Sequence, residues 1–268
     1  MLAQPLSGIS IREDKLFDDP KGVISAFNEF INTGLKVLDL RDSWTNYKLL
    51  EDVFESIKKN RDVLVIGRFK GIYPNYEHVL EQIAALKERI GRPIDVFEVK
   101  LPSFLVSFNE ALRALKKAFR EGLILGFGIV GWKSSYLDKI RLEGVDEVLK
   151  HVKVDLNLLN VKNLSLAMSL NKMKISVFSS SPLGGGLLTE AGYSSLRNRI
   201  LHSSSLRSLR NISLKKGASM AQVALSWLSY FKVSFAPSTS KPLHVREIAE
   251  SLRLRLSEEE VKELNGSF

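Results

Sequence analysis

Short apolar runs alternate with amphipathic segments along the whole sequence, and this alternation limits the possible folds more than any other feature. The apolar runs predict eight strands, over residues 8–12, 35–39, 63–67, 94–100, 124–130, 152–156, 175–179 and 233–236. Helical periodicity predicts helices between them, among others over residues 22–32, 49–59, 78–89 and 108–120. In the last of these, apolar residues recur at intervals of three and four, which is typical of one buried helix face. They are Phe108, Ala111, Leu112, Leu115, Ala118 and Phe119.

Eight strand–helix units in 268 residues indicate an α/β fold, a closed (β/α)₈ TIM barrel forming a single domain over residues 1–268. The alternative is an open doubly wound sheet, which expects a glycine-rich turn after its first strand. Residues 13–17 read Glu-Asp-Lys-Leu-Phe instead. Residues 189–213 are rich in Ser, Arg and Leu and predict a long loop with a short helix, either a mobile insertion or a lid over the barrel mouth.

Composition excludes several kinds of chemistry. The absence of cysteine excludes disulfides, a thiolate nucleophile and iron–sulfur clusters. The four histidines lack metal-ligand spacing, so we interpret them as structural or surface residues and expect no metal site. No run reaches the roughly 18 apolar residues of a membrane span, and residues 1–15 contain no apolar core of a leader peptide. We therefore expect a cytoplasmic protein without a membrane partner.

The chain is basic, with 39 Lys and Arg against 30 Asp and Glu and a net charge of +9. This charge permits nucleic acid or an acidic lipid surface as a partner. However, the basic residues are scattered, and aromatic residues do not interleave with a basic stripe. A solvated basic surface is therefore the favoured interpretation, and nucleic acid is not an expected partner.

Charged side chains cluster where the predicted strands end. Alternate strand residues point into a barrel, so these side chains are expected near one rim: Asp39, Arg41, Arg68, Glu98, Lys100, Lys153 and Asp155. One interpretation is a closed network of ion pairs. The other is an anion site, in which Arg68, Lys100 and Lys153 converge on a phosphate or carboxylate because the rim carries one surplus cation.

Two further segments predict a phosphate or nucleotide site at the same rim. Residues 181–189 read Ser-Pro-Leu-Gly-Gly-Gly-Leu-Leu-Thr after strand seven, and residues 238–241 read Ser-Thr-Ser-Lys after strand eight. Barrels often bind phosphate there, through loop amides and a helix N-terminus. A flexible turn and a helix N-cap are the structural alternative.

The same residues resemble a known family. Residues 177–189, Val-Phe-Ser-Ser-Ser-Pro-Leu-Gly-Gly-Gly-Leu-Leu-Thr, are similar to the AYSPLGRGLLTG motif of aldo-keto reductases. Residues 221–228, 237–242 and 256–260 extend the similarity, and residues 111–115 and 120–128 resemble the family's LEALEELVREGKIRAIG segment. The resemblance implies a (β/α)₈ barrel with NADP(H) across its mouth. It also implies that this chain lacks the N-terminal β-hairpin that closes the barrel bottom in the family.

The family reduces carbonyls with an Asp, a Tyr that gives the proton, a Lys and a His. By motif, these four catalytic positions fall on Asp39, Trp44, Arg68 and Lys100, so three of the four residues differ. An indole N–H is not an acid near neutral pH, and a guanidinium stays charged. On the nicotinamide side, the family's Ser-Asn, Gln and stacking Tyr are replaced by Val130-Gly131, Lys153 and Ser180.

The phosphate end of the implied cofactor site is better preserved. The resemblance assigns cofactor binding to Lys153, Ser181, Leu183, Gly184, Gly185, Leu187, Ser238, Thr239, Ser240, Lys241 and Glu247. Ile248 replaces the family Asn that follows this Glu. NADP is therefore the cofactor that the resemblance implies, and a dinucleotide or another small anion is the expected ligand.

Three functional hypotheses follow. The first is a divergent or non-catalytic member of the family, a pseudoenzyme that keeps part of the NADP(H) phosphate site and acts with a protein partner. The second is an active NADP-dependent carbonyl oxidoreductase in which Tyr47 or Lys100 gives the proton, Lys100 on condition that burial disfavours its charged form. The third is an anion- or nucleic-acid-binding barrel.

Overall fold

The computed structural model describes residues 6–100, 108–133, 135–195 and 203–266, and within these ranges it leaves out the side chains of Tyr47 and Ser203. Its centre is a sheet of eight parallel strands that pair in chain order. The strands are β1 (Gly8–Ser10), β2 (Val37–Arg41), β3 (Leu64–Arg68), β4 (Val96–Lys100), β5 (Phe127–Val130), β6 (Leu149–Val154), β7 (Ser176–Ser179) and β8 (Val233–Phe235).

The two edges of this sheet meet next to β1. The amide of Ser10 donates a hydrogen bond to the carbonyl of Pro237 at 3.0 Å, and Ser10 forms a parallel bridge with Ser238 just after β8. This contact closes the sheet into a barrel, so the predicted (β/α)₈ fold is confirmed and the open doubly wound alternative is wrong.

Helices cover the outside of the barrel. They are α1 (Glu13–Asp18), α2 (Pro20–Thr33), α3 (Glu51–Lys59), α4 (Tyr76–Ile90), α5 (Phe108–Arg120), α6 (Ser135–Leu142), α7 (Leu164–Lys172), α8 (Glu190–Ser194), α9 (Ser203–Lys216), α10 (Met220–Tyr230), α11 (Pro242–Ser251) and α12 (Glu258–Asn265). Short 3₁₀ helices lie at Ser43–Thr45, Tyr47–Leu49, Asp146–Val148 and Gly184–Gly186.

Local sequence signals account for many of these boundaries. The side chain of Asn75 caps α4 by accepting a hydrogen bond from the amide of His78, and Gly91 ends that helix in the left-handed conformation. Ser219 with Gln222, and Ser257 with Glu260, form capping boxes at the starts of α10 and α12. Helix α5 has the predicted bounds, and its predicted apolar face is buried except at Phe119, which is 42% exposed.

Residues 189–213 differ from the prediction of a long loop. Residues 196–202 lie outside the described part of the chain, but α8 and most of the 14-residue helix α9 occupy the remainder. Leu206, Leu209 and Ile212 are buried in the core, so α9 belongs to the outer helical layer and is not a lid. The interval of three between these apolar residues was the available signal, and the surrounding serines and arginines obscured it.

Three other expectations concern the N-terminal hairpin, the start of β6 and membrane-spanning helices. The sequence predicts that the N-terminal hairpin is missing before Gly8. Residues 1–5 lie outside the described residues, and Leu6 and Ser7 are not in a strand. Strand β6 begins at Leu149 rather than at residue 152, which places His151 inside the strand. No helix in the described part of the chain is both long enough and apolar enough to span a membrane.

The burial of α9 predicts the effect of two leucine substitutions on one helix. Leu209→Ala should lower the free energy of unfolding by about 2–5 kcal/mol, because it leaves a cavity in the core. Leu214→Ala, on the same helix but 63% exposed, should change it by less than about 0.5 kcal/mol. Urea unfolding followed by circular dichroism measures both, and equally small effects would show that α9 does not pack as described.

Candidate functional site

Charged side chains from several strands form one buried network inside the barrel. Its centre is Glu98, which is completely buried. One carboxylate oxygen of Glu98 accepts hydrogen bonds from Nε and Nη2 of Arg68 at 2.8 and 2.6 Å. The other oxygen lies 2.6 Å from Nζ of Lys153, and the same ammonium group donates to Asp39 at 2.8 Å. We call Asp39, Arg68, Glu98, His151 and Lys153 the interior network.

His151 joins this network because β5 leaves room for its ring. Its Nε2 lies 2.7 Å from the second carboxylate oxygen of Glu98. In the sheet, Gly128 stands between these two residues, since it pairs with Glu98 on one side and with His151 on the other. A Cβ atom on Gly128 would lie 2.5 Å from Nε2 of His151. Glycine is therefore required at this position for the imidazole to reach the carboxylate.

Electrostatics fix the charge of two members of the network. Burial by itself raises the pKa of Glu98, but Lys153, Arg68 and the hydrogen bond with His151 hold it well below its usual value of 4.5. Burial also disfavours the charged form of Arg68, yet the charges of Glu98 and Asp39 outweigh burial and raise the pKa of Arg68. Two carboxylates thus face two strongly basic side chains, a balanced set that offsets the cost of desolvating each charge.

Trp44, at the position of the family's tyrosine, is buried and tied to the backbone. Its indole N–H donates a hydrogen bond to the carbonyl of Arg68 at 2.8 Å. The guanidinium of Arg89 lies 5.2 Å from the centroid of the Trp44 ring, and Arg89 donates to the Trp44 carbonyl. These contacts give Trp44 a structural role between β2, β3 and α4.

Arg68, Lys153 and Lys100 do not converge on one anion position. Arg68 and Lys153 are paired with carboxylates, whereas Lys100 is exposed at the end of β4. Asp155 follows the end of β6, is exposed, and accepts a hydrogen bond from Asn160 instead of joining the network. The sequence predicted one surplus cation at the rim. The network contains none, because its two cations, Arg68 and Lys153, are paired with two carboxylates. Because Lys100 is exposed, the desolvation on which its role as proton donor depends is absent too.

His151 is the member of the network that the sequence interpretation missed as a site residue. It precedes Lys153 by two positions, so both side chains lie on the same face of β6. This spacing was the signal, and it became informative only once β6 was known to begin at Leu149. Of the other histidines, His78 and His244 are exposed, and His202 lies outside the described residues.

The glycine-rich segment after β7 adopts a shape that few other residues permit. Gly184, Gly185 and Gly186 have φ angles of 55°, 67° and 95°, in the left-handed region that favours glycine. The side chain of Asn157 anchors the segment by donating to the carbonyl of Ser181 at 2.9 Å. Nothing lies within 4 Å of the position of a Cβ on Gly185 or Gly186, so a ligand can approach this backbone closely.

The segment after β8 lies beside it, at the start of α11. Ser238 joins β1 across the closure of the barrel, and its buried hydroxyl has no hydrogen-bond partner in the structure. Thr239 accepts a hydrogen bond from the amide of Lys241, whose side chain is exposed at the helix N-cap. The other residues assigned to cofactor binding are all partly exposed in these two segments or on α11: Ser181, Leu183, Leu187, Ser240 and Glu247.

No group of three or more potential ligands, whether His, Asp or Glu, is placed to hold a metal ion in the part of the chain that the structure describes. Lys153, which the family pattern assigned to the cofactor, has its ammonium group bonded to Asp39 and Glu98. Its contact with a cofactor stays a prediction, as do those of the residues in the two loop segments.

The protein is a TIM-barrel protein: it forms a closed (β/α)₈ barrel, with ionisable side chains inside and glycine- and serine-rich loops after β7 and β8. The model of the Aldo/keto reductase family matches residues 15–267. The chain therefore belongs to the aldo/keto reductase family. No curated protein matches the chain.

Solved structures of this family have the same fold at low sequence identity. An aldo/keto reductase from Brucella melitensis is 21% identical, with a TM-score of 0.77 over 99% of this chain and 94% of that chain. The aldose reductase from Giardia lamblia is 18% identical, with a TM-score of 0.78 over 99% and 92%. An aldo-keto reductase from Klebsiella pneumoniae, solved in complex with NADPH, is 18% identical, with a TM-score of 0.78 over 98% and 91%.

The lowered pKa of Glu98 predicts how stability depends on pH. A carboxylate whose pKa is lower in the folded than in the unfolded chain stabilises the fold above its unfolded-state pKa and loses that effect as the pH falls towards its folded-state pKa. Glu98→Gln should therefore lower the free energy of unfolding by about 3–5 kcal/mol near neutral pH, because two cations then share one carboxylate. This difference from the unmodified protein should narrow below about pH 4.5, the usual value for the group.

Urea unfolding at a series of pH values measures the difference. The matched control is Glu88→Gln, an exposed position on α4, which should change the free energy of unfolding by less than about 0.5 kcal/mol. A difference for Glu98→Gln that stays constant down to acid unfolding would contradict the ionised, ion-paired state of Glu98.

Proposed function

We propose that this chain is a non-catalytic member of the aldo/keto reductase family, which binds NADP(H) through its phosphate end and does not reduce carbonyls. The observation that carries the proposal is the state of the family's four catalytic positions: Asp39 and Arg68 are ion-paired within the interior network. Trp44 is bonded to a backbone carbonyl, and Lys100 is exposed outside the network. A member that binds the cofactor without turnover would act as a binding or regulatory subunit, so a protein partner is part of the proposal.

Proton transfer is the first step that the described side chains do not support. Carbonyl reduction needs an acid positioned to protonate the developing alkoxide. The N–H of Trp44 is not an acid near neutral pH and already donates to the Arg68 carbonyl. The pKa of Arg68 is raised and that of Glu98 is lowered, so near neutral pH Arg68 keeps its proton and Glu98 has none to give.

The nicotinamide end of the cofactor has also lost its polar partners. Lys153 stands where the family has Gln, and its ammonium group binds two carboxylates. Val130 and Gly131 stand where the family has Ser-Asn, and neither offers a polar side chain. NADPH supplies a hydride when it is bound, but a ring without these contacts is not held in the orientation that hydride transfer requires.

The phosphate end fits the cofactor better. Ser238 offers a buried hydroxyl without a partner, the backbone at Gly185 and Gly186 is open to close approach, and the exposed Lys241 supplies a cation at the start of α11. Such a combination suits phosphate groups. The structures of aldo-keto reductase from Klebsiella pneumoniae in complex with NADPH, and with NADP and acetate, support the choice of cofactor.

The role of Lys241 predicts a difference between the two nicotinamide cofactors. Lys241→Glu should weaken NADPH binding by about tenfold or more and NADH binding much less, since a cation favours the additional 2′-phosphate. Fluorescence titration of each cofactor measures both affinities. Lys59→Glu, with the same change of charge at an exposed position near the end of α3, is the control and should leave both unchanged. Equal weakening of NADH and NADPH by Lys241→Glu would contradict the assignment.

A turnover assay separates this proposal from an active reductase. With NADPH shown to bind, its absorbance should stay constant when a panel of aldehydes and ketones is added. Oxidation of NADPH at a rate typical of enzymes would overturn the non-catalytic assignment and favour a non-standard proton donor. Failure to bind NADPH at all would overturn the cofactor assignment.

A further inference from the structure

A cavity of about 880 Å³ lies at the amino ends of the barrel strands, opposite to the cofactor loops. Its walls are largely apolar and include Val37, Leu64, Ile66, Val96 and Phe178, which pack together as a cluster separate from the main core. The volume lies within the range of about 300–1,000 Å³ that is typical of small-molecule sites. Nothing in the family's carbonyl chemistry uses this end of the barrel.

The opening of the cavity is basic. Lys150, Lys174 and Lys232 line it, all three are exposed, and none forms an ion pair with a residue that the structure describes. The lining contains one acidic side chain, Asp95, and it is already neutralised: Arg92 donates to its carboxylate at 2.8 Å, and the amide of Val65 donates to the same oxygen. The lysines therefore leave the opening with a net positive charge.

Two of these lysines occupy backbone positions where glycine is favoured. Lys174 and Lys232 have φ angles of 63° and 57° and follow the ends of α7 and α10. The equivalent positions after α5 and α6 are Gly122 and Gly144, with φ angles of 66° and 63°. Left-handed backbone is disfavoured for a residue with a Cβ. Lysine thus occupies two rim positions whose backbone conformation favours glycine. This points to a function for the charge of the two lysine side chains.

The rim also exposes apolar surface. Leu6 and Leu125 line the cavity and are 46% and 48% exposed. Apolar walls that continue to a lip carrying three unpaired cations complement a ligand with an apolar body and one anionic end. We propose that this amino-end cavity binds a single-chain aliphatic carboxylate, with its alkyl chain against the apolar walls and its carboxylate on Lys150, Lys174 and Lys232.

This site is distinct from the proposed cofactor site. The imidazole of His151 contributes to the lining, and its Nε2 is bonded to Glu98 of the interior network. The network therefore lies between the cavity and the barrel mouth. Binding of a carboxylate at one end and of NADPH at the other can be measured independently, and neither proposal depends on the other.

Isothermal titration with dodecanoate, well below its micelle-forming concentration and at low salt, tests the proposal on the full chain. We expect saturable binding with one molecule per chain. Affinity should rise from octanoate to dodecanoate by up to about fourfold for each added methylene group, and it should fall as sodium chloride screens the lysines. Dodecanol, which has the same chain without the charge, should bind more weakly.

The double variant Lys174→Gly/Lys232→Gly gives the sharpest result, because stability and binding should respond in opposite directions. Glycine suits the left-handed backbone, so the melting temperature should stay the same or rise. Loss of two cations should weaken dodecanoate binding by about tenfold. The control Lys21→Ala/Lys48→Ala removes two exposed lysines near the mouth end of the barrel and should leave dodecanoate binding unchanged.

Three outcomes would overturn the proposal. The first is no binding of dodecanoate by the unmodified protein, including the case in which sedimentation shows a second copy covering this face. The second is equal affinity of the glycine double variant and the unmodified protein. The third is equal affinity for dodecanol and dodecanoate, which would reduce the site to an apolar cavity without recognition of the anion.

Discussion

A carboxylate without access to water has to be held by cations, and the interior of this barrel is organised around one, Glu98. Two strands supply these cations: β3 brings Arg68 and β6 brings Lys153. Strand β6 also brings His151, which is bonded to the same carboxylate. Strand β5, which separates β4 from β6, places Gly128 at the point of contact, because a larger residue would block the imidazole. Removing Arg68 or Lys153 leaves a buried carboxylate charge uncompensated, which is far more costly than the loss of an exposed ion pair.

The departures from the family pattern are physically connected. Arg68 turns its guanidinium to Glu98, while its backbone carbonyl accepts the hydrogen bond from Trp44. Lys153 then provides the cation for Asp39. The replacements at Trp44, Arg68 and Lys153 are thus satisfied within one arrangement, whereas Lys100 lies outside it in solvent. Lys153→Gln alone would leave the buried carboxylate of Asp39 without its cation.

The interior network also divides the barrel into two functional ends. At the carboxyl ends of the strands, glycine- and serine-rich loops present backbone groups, hydroxyls and Lys241 to the solvent. At the amino ends, an apolar cavity opens between unpaired lysines. Charges that are paired inside the network are not available to a ligand at either end. In both proposals, recognition depends on the groups outside the network, which are the loop segments on one side and the rim lysines on the other.

Local sequence determined the eight strands and most of the helices, because apolar periodicity and capping residues act over a few positions. The number and alternation of these elements indicated the (β/α)₈ fold. Helix α5 was predicted residue for residue, whereas α9 was missed because its apolar spacing lies among serines and arginines. Strand alternation correctly indicated that Asp39, Arg68, Glu98 and Lys153 face the interior, but it wrongly grouped Lys100 and Asp155 with them. The partners were decided by tertiary structure alone. Glu98 meets Arg68 and His151 from 30 and 53 positions away along the chain, Asp155 lies beyond the end of its strand, and Lys100 extends into solvent. Strand register and barrel closure set the distances between such remote residues. No local pattern in the sequence specifies either of them.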